Sequence, residues 1–324
     1  MKRLSLLLLG FVLLAGCTFS TPANRTQIPP PATLDSWSQG PVKQRIISFV
    51  NSVSDPASPL YVPAQDRLAV FDMDGTLLCE KPDYIEVAIT QNRLREKAAA
   101  DPTLAENPLY KAALTNDNAY INQHVKEAIL EAFANEYLSD MAAYWRQYIT
   151  QARHPSLKLE YSKLFYKPMI ELIEYLQAAE FAVFVVSTSQ QEFIRSLCPD
   201  FLPVPKQNVI GTMVAFTLAN LDDDAPHLFR RQKAYFEPYN ADDKKSVRIR
   251  ERGIEHAVLA AGNSMGDYAM LDGVSDSGRT SLVIVVDHDD SAREFEYHKP
   301  DLLEIARKRG WVVTSMKHDF RRIF

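Results

Sequence analysis

Hydrophobic and polar positions divide the chain into alternating elements. Residues 42–53 carry the spacing of a short amphipathic helix. Residues 68–71 (Leu, Ala, Val, Phe) then form an apolar run that stops at Asp72 and Asp74, followed by Gly75 and Thr76. A run this short, ended by a turn signal, suits a buried strand better than a helix. From residue 82 to 153 apolar residues recur at helical spacing, through 84–94, 121–137 and 141–149, with no strand-like period and no repeat. His154 and Pro155 close that region. Pro168 suits the first turn of a helix running to residue 179. Residues 181–186 read as a dense buried strand ending at Ser187, Thr188 and Ser189, and 190–197 as a helix. Short strands at 209–211 and 213–218 precede a polar stretch, 222–243. A helix at 245–252, a strand at 257–261, a loop at 262–267, a helix at 268–271 and a buried strand at 282–286 complete the pattern.

Strands that alternate with helices imply an α/β fold: a Rossmann-like, three-layer core with a mainly parallel sheet. The helical region directly after the first strand reads as an inserted cap over 82–153, leaving 41–81 and 154–324 as the core. Ligands of such sheets sit outside the carboxyl ends of the strands. Asp72 and Asp74, Ser187 and the 262–267 loop each follow a strand, so they can converge there. Two carboxylates at i and i+2 leave a strand end pointing the same way. Buried together they repel, and a hard divalent cation such as Mg²⁺ is the usual remedy.

Composition narrows the class. The 324 residues are 46% apolar and 24% charged, as expected of a folded protein. A net charge of −5 without a long basic run gives no sign of a nucleic-acid footprint, and no nucleic-acid partner is expected. At the N-terminus Lys2 and Arg3 precede an apolar stretch, 4–15, too short to span a bilayer comfortably, which has the form of a signal peptide. Residues 18–40, rich in Pro, Thr, Ser and Asn, read as a flexible tether. Cys79 and Cys198 are either joined, as an exported protein permits, or two free buried thiols.

Two resemblances sharpen this picture. Leu14, Ala15, Gly16 and Cys17 are similar to the bacterial lipoprotein signal. That likeness implies cleavage of residues 1–17 before Cys17 and lipidation of that cysteine. With Thr18 next, it implies an anchor on the periplasmic face of the outer membrane. Asp72 to Thr76 resembles the first motif of the haloacid dehalogenase superfamily, in its phosphoserine-phosphatase-like branch. Ser187 after its strand fits the second motif, Lys245 the third, and Gly262 to Asp267 the fourth. The likeness covers roughly residues 66–290. It implies a Mg²⁺-dependent phosphohydrolase that cleaves small phosphate monoesters through an aspartyl-phosphate.

Under that resemblance Asp72 is the nucleophile. Asp74 is the acid and base, and its backbone carbonyl binds metal. Asp267 completes the metal site with Asp72 and Asp74, and Asn263 joins through its amide oxygen. Thr76, Ser187 and Lys245 hold the substrate phosphate. Asn263 stands where many members carry Asp, and Thr188-Ser189 where many carry a Gly pair. Glu80 and Lys81 lie at the cap hinge, within possible reach of substrate. His288, Asp289 and Asp290 read as a polar turn after a strand. Dehalogenation needs no acid two residues after the nucleophile, so Asp74 argues against it. The competing reading is a lipoprotein that binds a ligand or partner and keeps the fold without turnover. No protein partner is indicated beyond the membrane that the lipid would engage.

Overall fold

The computed structural model describes residues 33–219, 228–235 and 244–324. The expected signal segment, Cys17 and most of the expected tether lie outside the described residues. No helix among the described residues is long and apolar enough to cross a membrane.

The first elements are α1 (Pro41–Ser54) and strand β1 (Leu68–Phe71). Helices α2 (Ile85–Ala100), α3 (Pro108–Thr115), α4 (Asn118–Gln123), α5 (Val125–Ala132) and α6 (Leu138–Gln151) follow before the chain returns to the sheet. Then come α7 (Lys167–Ala178), β2 (Ala182–Gln190), α8 (Gln191–Leu197), β3 (Val209–Thr212), β4 (Val214–Ala219) and β5 (Leu228–Tyr235). The rest is α9 (Lys244–Glu251), β6 (Leu259–Gly262), α10 (Tyr268–Ser275), β7 (Leu282–Asp287), α11 (Pro300–Arg309), β8 (Val312–Ser315) and α12 (Met316–Asp319).

Six strands form one sheet in the order β3-β2-β1-β6-β7-β8, and every neighbouring pair is parallel. Strand alternation sorts the side chains onto two faces. Ala69, Phe71, Val183, Val185, Leu259 and Ala261 join the core that also takes in Ile46 of α1 and Leu172 of α7. Val70, Val186, Ala260 and Val283 enter a second core with Ile249 of α9, Leu271 of α10 and Leu302 of α11. Helices thus cover both faces, which is why these strands are apolar throughout rather than alternating.

The helices between β1 and β2 are seated on the sheet domain through α6. Trp145 packs edge-on against Phe193 of α8, with ring centroids 5.8 Å apart, and Arg146 donates to the Ser196 carbonyl at 2.7 Å.

Three expectations change. The stretch 222–243, read as a polar region between units, contains β5, which pairs antiparallel with β4 in a hairpin separate from the main sheet. Arg231 carries the packing: its side chain is buried, donates to the Ile129 carbonyl at 2.9 Å and lies over the Phe133 ring. Its backbone N–H donates to Glu136 and its carbonyl accepts from Asn135. Residues 33–40, the end of the stretch read as a tether, are packed down. Trp37 is buried, donates from Nε1 to the Pro168 carbonyl at 2.8 Å and meets Phe320 edge-on at 5.0 Å. The polar turn expected after β7 is packed inward: His288 and Asp290 are buried. Cys79 and Cys198 are both free and buried.

Candidate active site

The centre of the sheet brings the acidic residues together. β1 lies between β2 and β6, and its end delivers Asp72. The chain turns at once: Leu77 and Leu78 N–H groups donate to the Met73 carbonyl at 2.7 and 3.0 Å. Gly75 makes this possible. Its φ is +78°, and a Cβ there would collide with the Asn263 side chain. At the end of β6, Gly262 is required for a related reason, because a Cβ would come within 2.7 Å of the Asp267 Cβ.

Lys245, in the first turn of α9, reaches between two carboxylates. Its Nζ donates to Asp72 Oδ1 and to Asp267 Oδ1, and all three groups are buried. The other Asp267 oxygen accepts from the Asn263 and Ser264 N–H groups at 2.9 Å each and from Ser264 Oγ at 3.2 Å. Asp267 is therefore held on both sides. Burial, followed by the Asp267 charge, pushes the Asp72 carboxyl well above the usual range against the opposing pull of Lys245. Burial works against the Lys245 charge, but Asp267 and Asp72 more than offset it and raise its pKa.

Asp74 is a neighbour with a different setting. Its Oδ2 accepts from Ser189 Oγ at 2.7 Å, while Oδ1 is buried with no hydrogen-bond partner. Burial pushes this carboxyl up to about 6; the Ser189 bond opposes the shift and the Glu80 charge adds to it. Thr76 Oγ1 and Asn263 Oδ1 meet at 3.4 Å, and Asn263 Nδ2 donates to Glu80 Oε1 at 3.3 Å. Ser187 Oγ accepts from the Ser189 N–H at 3.1 Å.

Asp72, Lys245 and Asp267 thus share direct bonds, and Thr76 meets Asn263. Ser187 is buried in the last part of β2, where the register shifts, and its Oγ bonds to Ser189 of the same strand. Among the described residues no group of three or more His, Cys, Asp and Glu side chains forms a ready-made metal cluster. Of the residues expected to hold metal, Asp74 turns its side chain to Ser189, and Asn263 turns to Thr76 and Glu80. Asp72 and Asp267 close on the lysine.

Sequence reading missed three contributors. Ser189 lies two residues beyond Ser187, so their side chains share a strand face. Arg248 follows Lys245 by three positions on α9, hence on the same side of the helix. It donates to the Ser187 carbonyl at 2.7 Å and to Thr212 Oγ1 at 3.0 Å. Glu86, in the first turn of α2, accepts from the Gln190 N–H at 3.1 Å and ties the helical insertion to the end of β2.

The sheet thus brings acids and a lysine together at its carboxyl edge, where ligands of such sheets bind. Residues 69–272 match the family described as haloacid dehalogenase-like hydrolase, and the chain belongs to that family. Among solved structures, a protein of unknown function from Bordetella pertussis Tohama I is 19% identical, with a TM-score of 0.50 over 76% of this chain and 97% of that one. A conserved functionally unknown protein from Anaerococcus prevotii DSM 20548 is 14% identical, with a TM-score of 0.55 over 85% and 91%. These two share the fold. A phosphoserine phosphohydrolase-like protein from Francisella tularensis subsp. tularensis SCHU S4 aligns at a TM-score of 0.41, 15% identity and 76% and 94% coverage. No curated protein matches the chain.

Proposed function

We propose that the protein is a Mg²⁺-dependent phosphohydrolase of the phosphoserine-phosphatase-like branch, acting on small phosphate monoesters. The observation that carries this reading is the pair of unlike aspartates. Asp72 is bound by a lysine shared with Asp267, and Asp74 is held by Ser189 with a pKa of about 6.

Asp72 attacks phosphorus through a carboxylate oxygen and the P–O bond to the leaving alcohol breaks. Asp74 gives its proton to that departing oxygen. Water then attacks the aspartyl-phosphate, Asp74 takes the water's proton, and inorganic phosphate leaves. A carboxyl with a pKa near neutrality serves both directions, since neither form is scarce. Lys245 offsets the charge that builds on the transferred group, and Ser187 and Thr76 donate to its oxygens.

The donor set suits a hard cation. Asp72 and Asp267 point oxygens at one cationic group, and the buried Asp74 carboxyl leaves Oδ1 without a hydrogen-bond partner. Mg²⁺ held by Asp72, Asp267, the Asp74 carbonyl and the Asn263 amide oxygen would neutralise carboxylate and phosphate charge.

The purified chain should hydrolyse an aryl phosphate with Mg²⁺. EDTA should abolish this, and Asp72→Asn should lose essentially all turnover. Wild-type rates in Asp72→Asn would sink the assignment. The sequence around Cys17 supports a second proposal, a lipid anchor in the bacterial envelope. Cys17→Ala should move the protein out of the membrane fraction, and unchanged partitioning would refute the anchor.

A further inference from the structure

The motif turn is gripped from outside by residues to which the phosphohydrolase reading gives no role. His288, just past the end of β7, places Nε2 at 2.8 Å from the Gly75 carbonyl and Nδ1 at 3.3 Å from Glu294 Oε2. Both partners are oxygen acceptors, so the imidazole is clamped between the motif turn and Glu294. Glu294 is set up for that. It is buried, and besides His288 it accepts from Tyr166 OH at 2.9 Å, Cys79 Sγ at 3.1 Å and the Phe295 N–H at 2.6 Å. Burial alone would raise its pKa, but His288, then Cys79 and Tyr166, bring it below the usual glutamate range. The imidazole is further fixed by stacking on Tyr297, with centroids 4.2 Å apart and planes 17° from parallel.

The grip falls on a peptide plane that matters. The Gly75 carbonyl and the Thr76 N–H belong to one rigid unit. His288 holds the carbonyl, and the Met73 carbonyl accepts from the Thr76 N–H at 3.2 Å. That plane lies one residue beyond Asp74, across Gly75, whose backbone has the conformational freedom to let it swing. We propose that His288, oriented by Glu294, is a positioning residue for the reaction. It fixes the Gly75–Thr76 peptide and, through it, the placement of Asp74 and Thr76 against the phosphoryl group. This rests on the phosphohydrolase reading for its catalytic consequence, but not for the grip itself.

Two substitutions separate the grip from plain stability. His288→Gln keeps a donor where Nε2 stands, toward Gly75. His288→Asn keeps one only where Nδ1 stands, toward Glu294. Both lose the stacked ring, so both should lower Tm alike. With an aryl phosphate, kcat should fall about 10- to 100-fold in His288→Asn, with KM changed less than about 3-fold, because misplacing a reacting group by about 1 Å costs on that order. His288→Gln should stay within about 5-fold of wild type in kcat. Amide exchange of the 72–79 segment should quicken in His288→Asn and remain near wild type in His288→Gln.

Equal losses in the two variants, or wild-type kcat in His288→Asn, would overturn the proposal. If neither variant folds, Glu294→Leu replaces them, since it leaves Nδ1 without an acceptor. Its kcat should fall with KM nearly unchanged and exchange of the 72–79 segment should quicken, and wild-type values of both would overturn the inference. A wild-type protein that turns over no phosphate ester would remove the functional reading alone. The exchange comparison would then decide whether His288 holds the turn.

Discussion

Glu86 offers a quantitative test of how the helical insertion is joined to the sheet. Its carboxylate is buried against the end of β2, where Oε2 accepts from the Gln190 N–H and Oε1 from Gln190 Nε2 at 3.3 Å. Burial pushes its pKa from 4.5 up to about 7; the Gln190 N–H pulls the other way, and the Asp74 charge adds to the rise. A raised folded-state value means that the folded protein holds this proton more tightly than the unfolded chain. The associated stability is complete below the unfolded pKa of 4.5 and is lost as pH climbs through about 7. A shift of that size corresponds to about 3 kcal/mol. Glu86→Gln is neutral at every pH and removes the loss. Its amide keeps an acceptor for the Gln190 N–H, and its NH₂ can serve Gln190 Oε1, which is buried without a partner. Urea unfolding of both proteins at pH 5 and pH 8 reads the effect as the difference between them, which cancels the titration of other carboxylates. The variant should gain about 2–3 kcal/mol on wild type between the two pH values. A difference that does not change with pH would refute the reasoning.

Three other outcomes follow from particular contacts. Trp37→Ala should cost about 3–5 kcal/mol in denaturant unfolding, as for other fully buried aromatic truncations; a cost below about 1 kcal/mol would show that the 33–40 segment is not part of the folded unit. Lys245→Met leaves two buried carboxylates uncompensated and should lower stability by about 3–5 kcal/mol without Mg²⁺, with thermal melts showing partial recovery when Mg²⁺ is added; recovery with EDTA instead would contradict the charge account. Ser189→Ala strips Asp74 of its observed side-chain donor and should reduce kcat by about 10-fold, the equivalent of roughly 1.4 kcal/mol, and steady-state rates equal to wild type would deny Ser189 that role.

Much of the sheet was legible because its strands are buried on both faces and so read as unbroken apolar runs. The Asp72–Thr76 turn was legible because charge, glycine and the end of an apolar run coincide at one point. Strand β5 was not. It carries Arg230, Arg231, Gln232 and Lys233, and it packs through a buried guanidinium that looks like surface from sequence alone. Trp37 sits in Pro- and Ser-rich sequence with no periodicity, and its partners Pro168 and Phe320 are distant in the chain. His288 reads from sequence only as part of a polar turn because its partners, Gly75 and Glu294, come from a distant loop and from beyond the strand end. Ser189 and Arg248 stand one strand period from Ser187 and about one helical turn from Lys245, so periodicity places them beside those two residues.

The central claim is that Asp72 carries the phosphoryl group. The direct measurement is mass spectrometry of peptides after acid quench of the protein mixed with Mg²⁺ and an excess of aryl phosphate, using Asp74→Asn to slow release. One added phosphoryl group should appear on the peptide containing Asp72, and none in Asp72→Asn. Steady turnover by the wild-type protein with no phosphoryl adduct on that peptide, or with the adduct on another residue, would contradict the account.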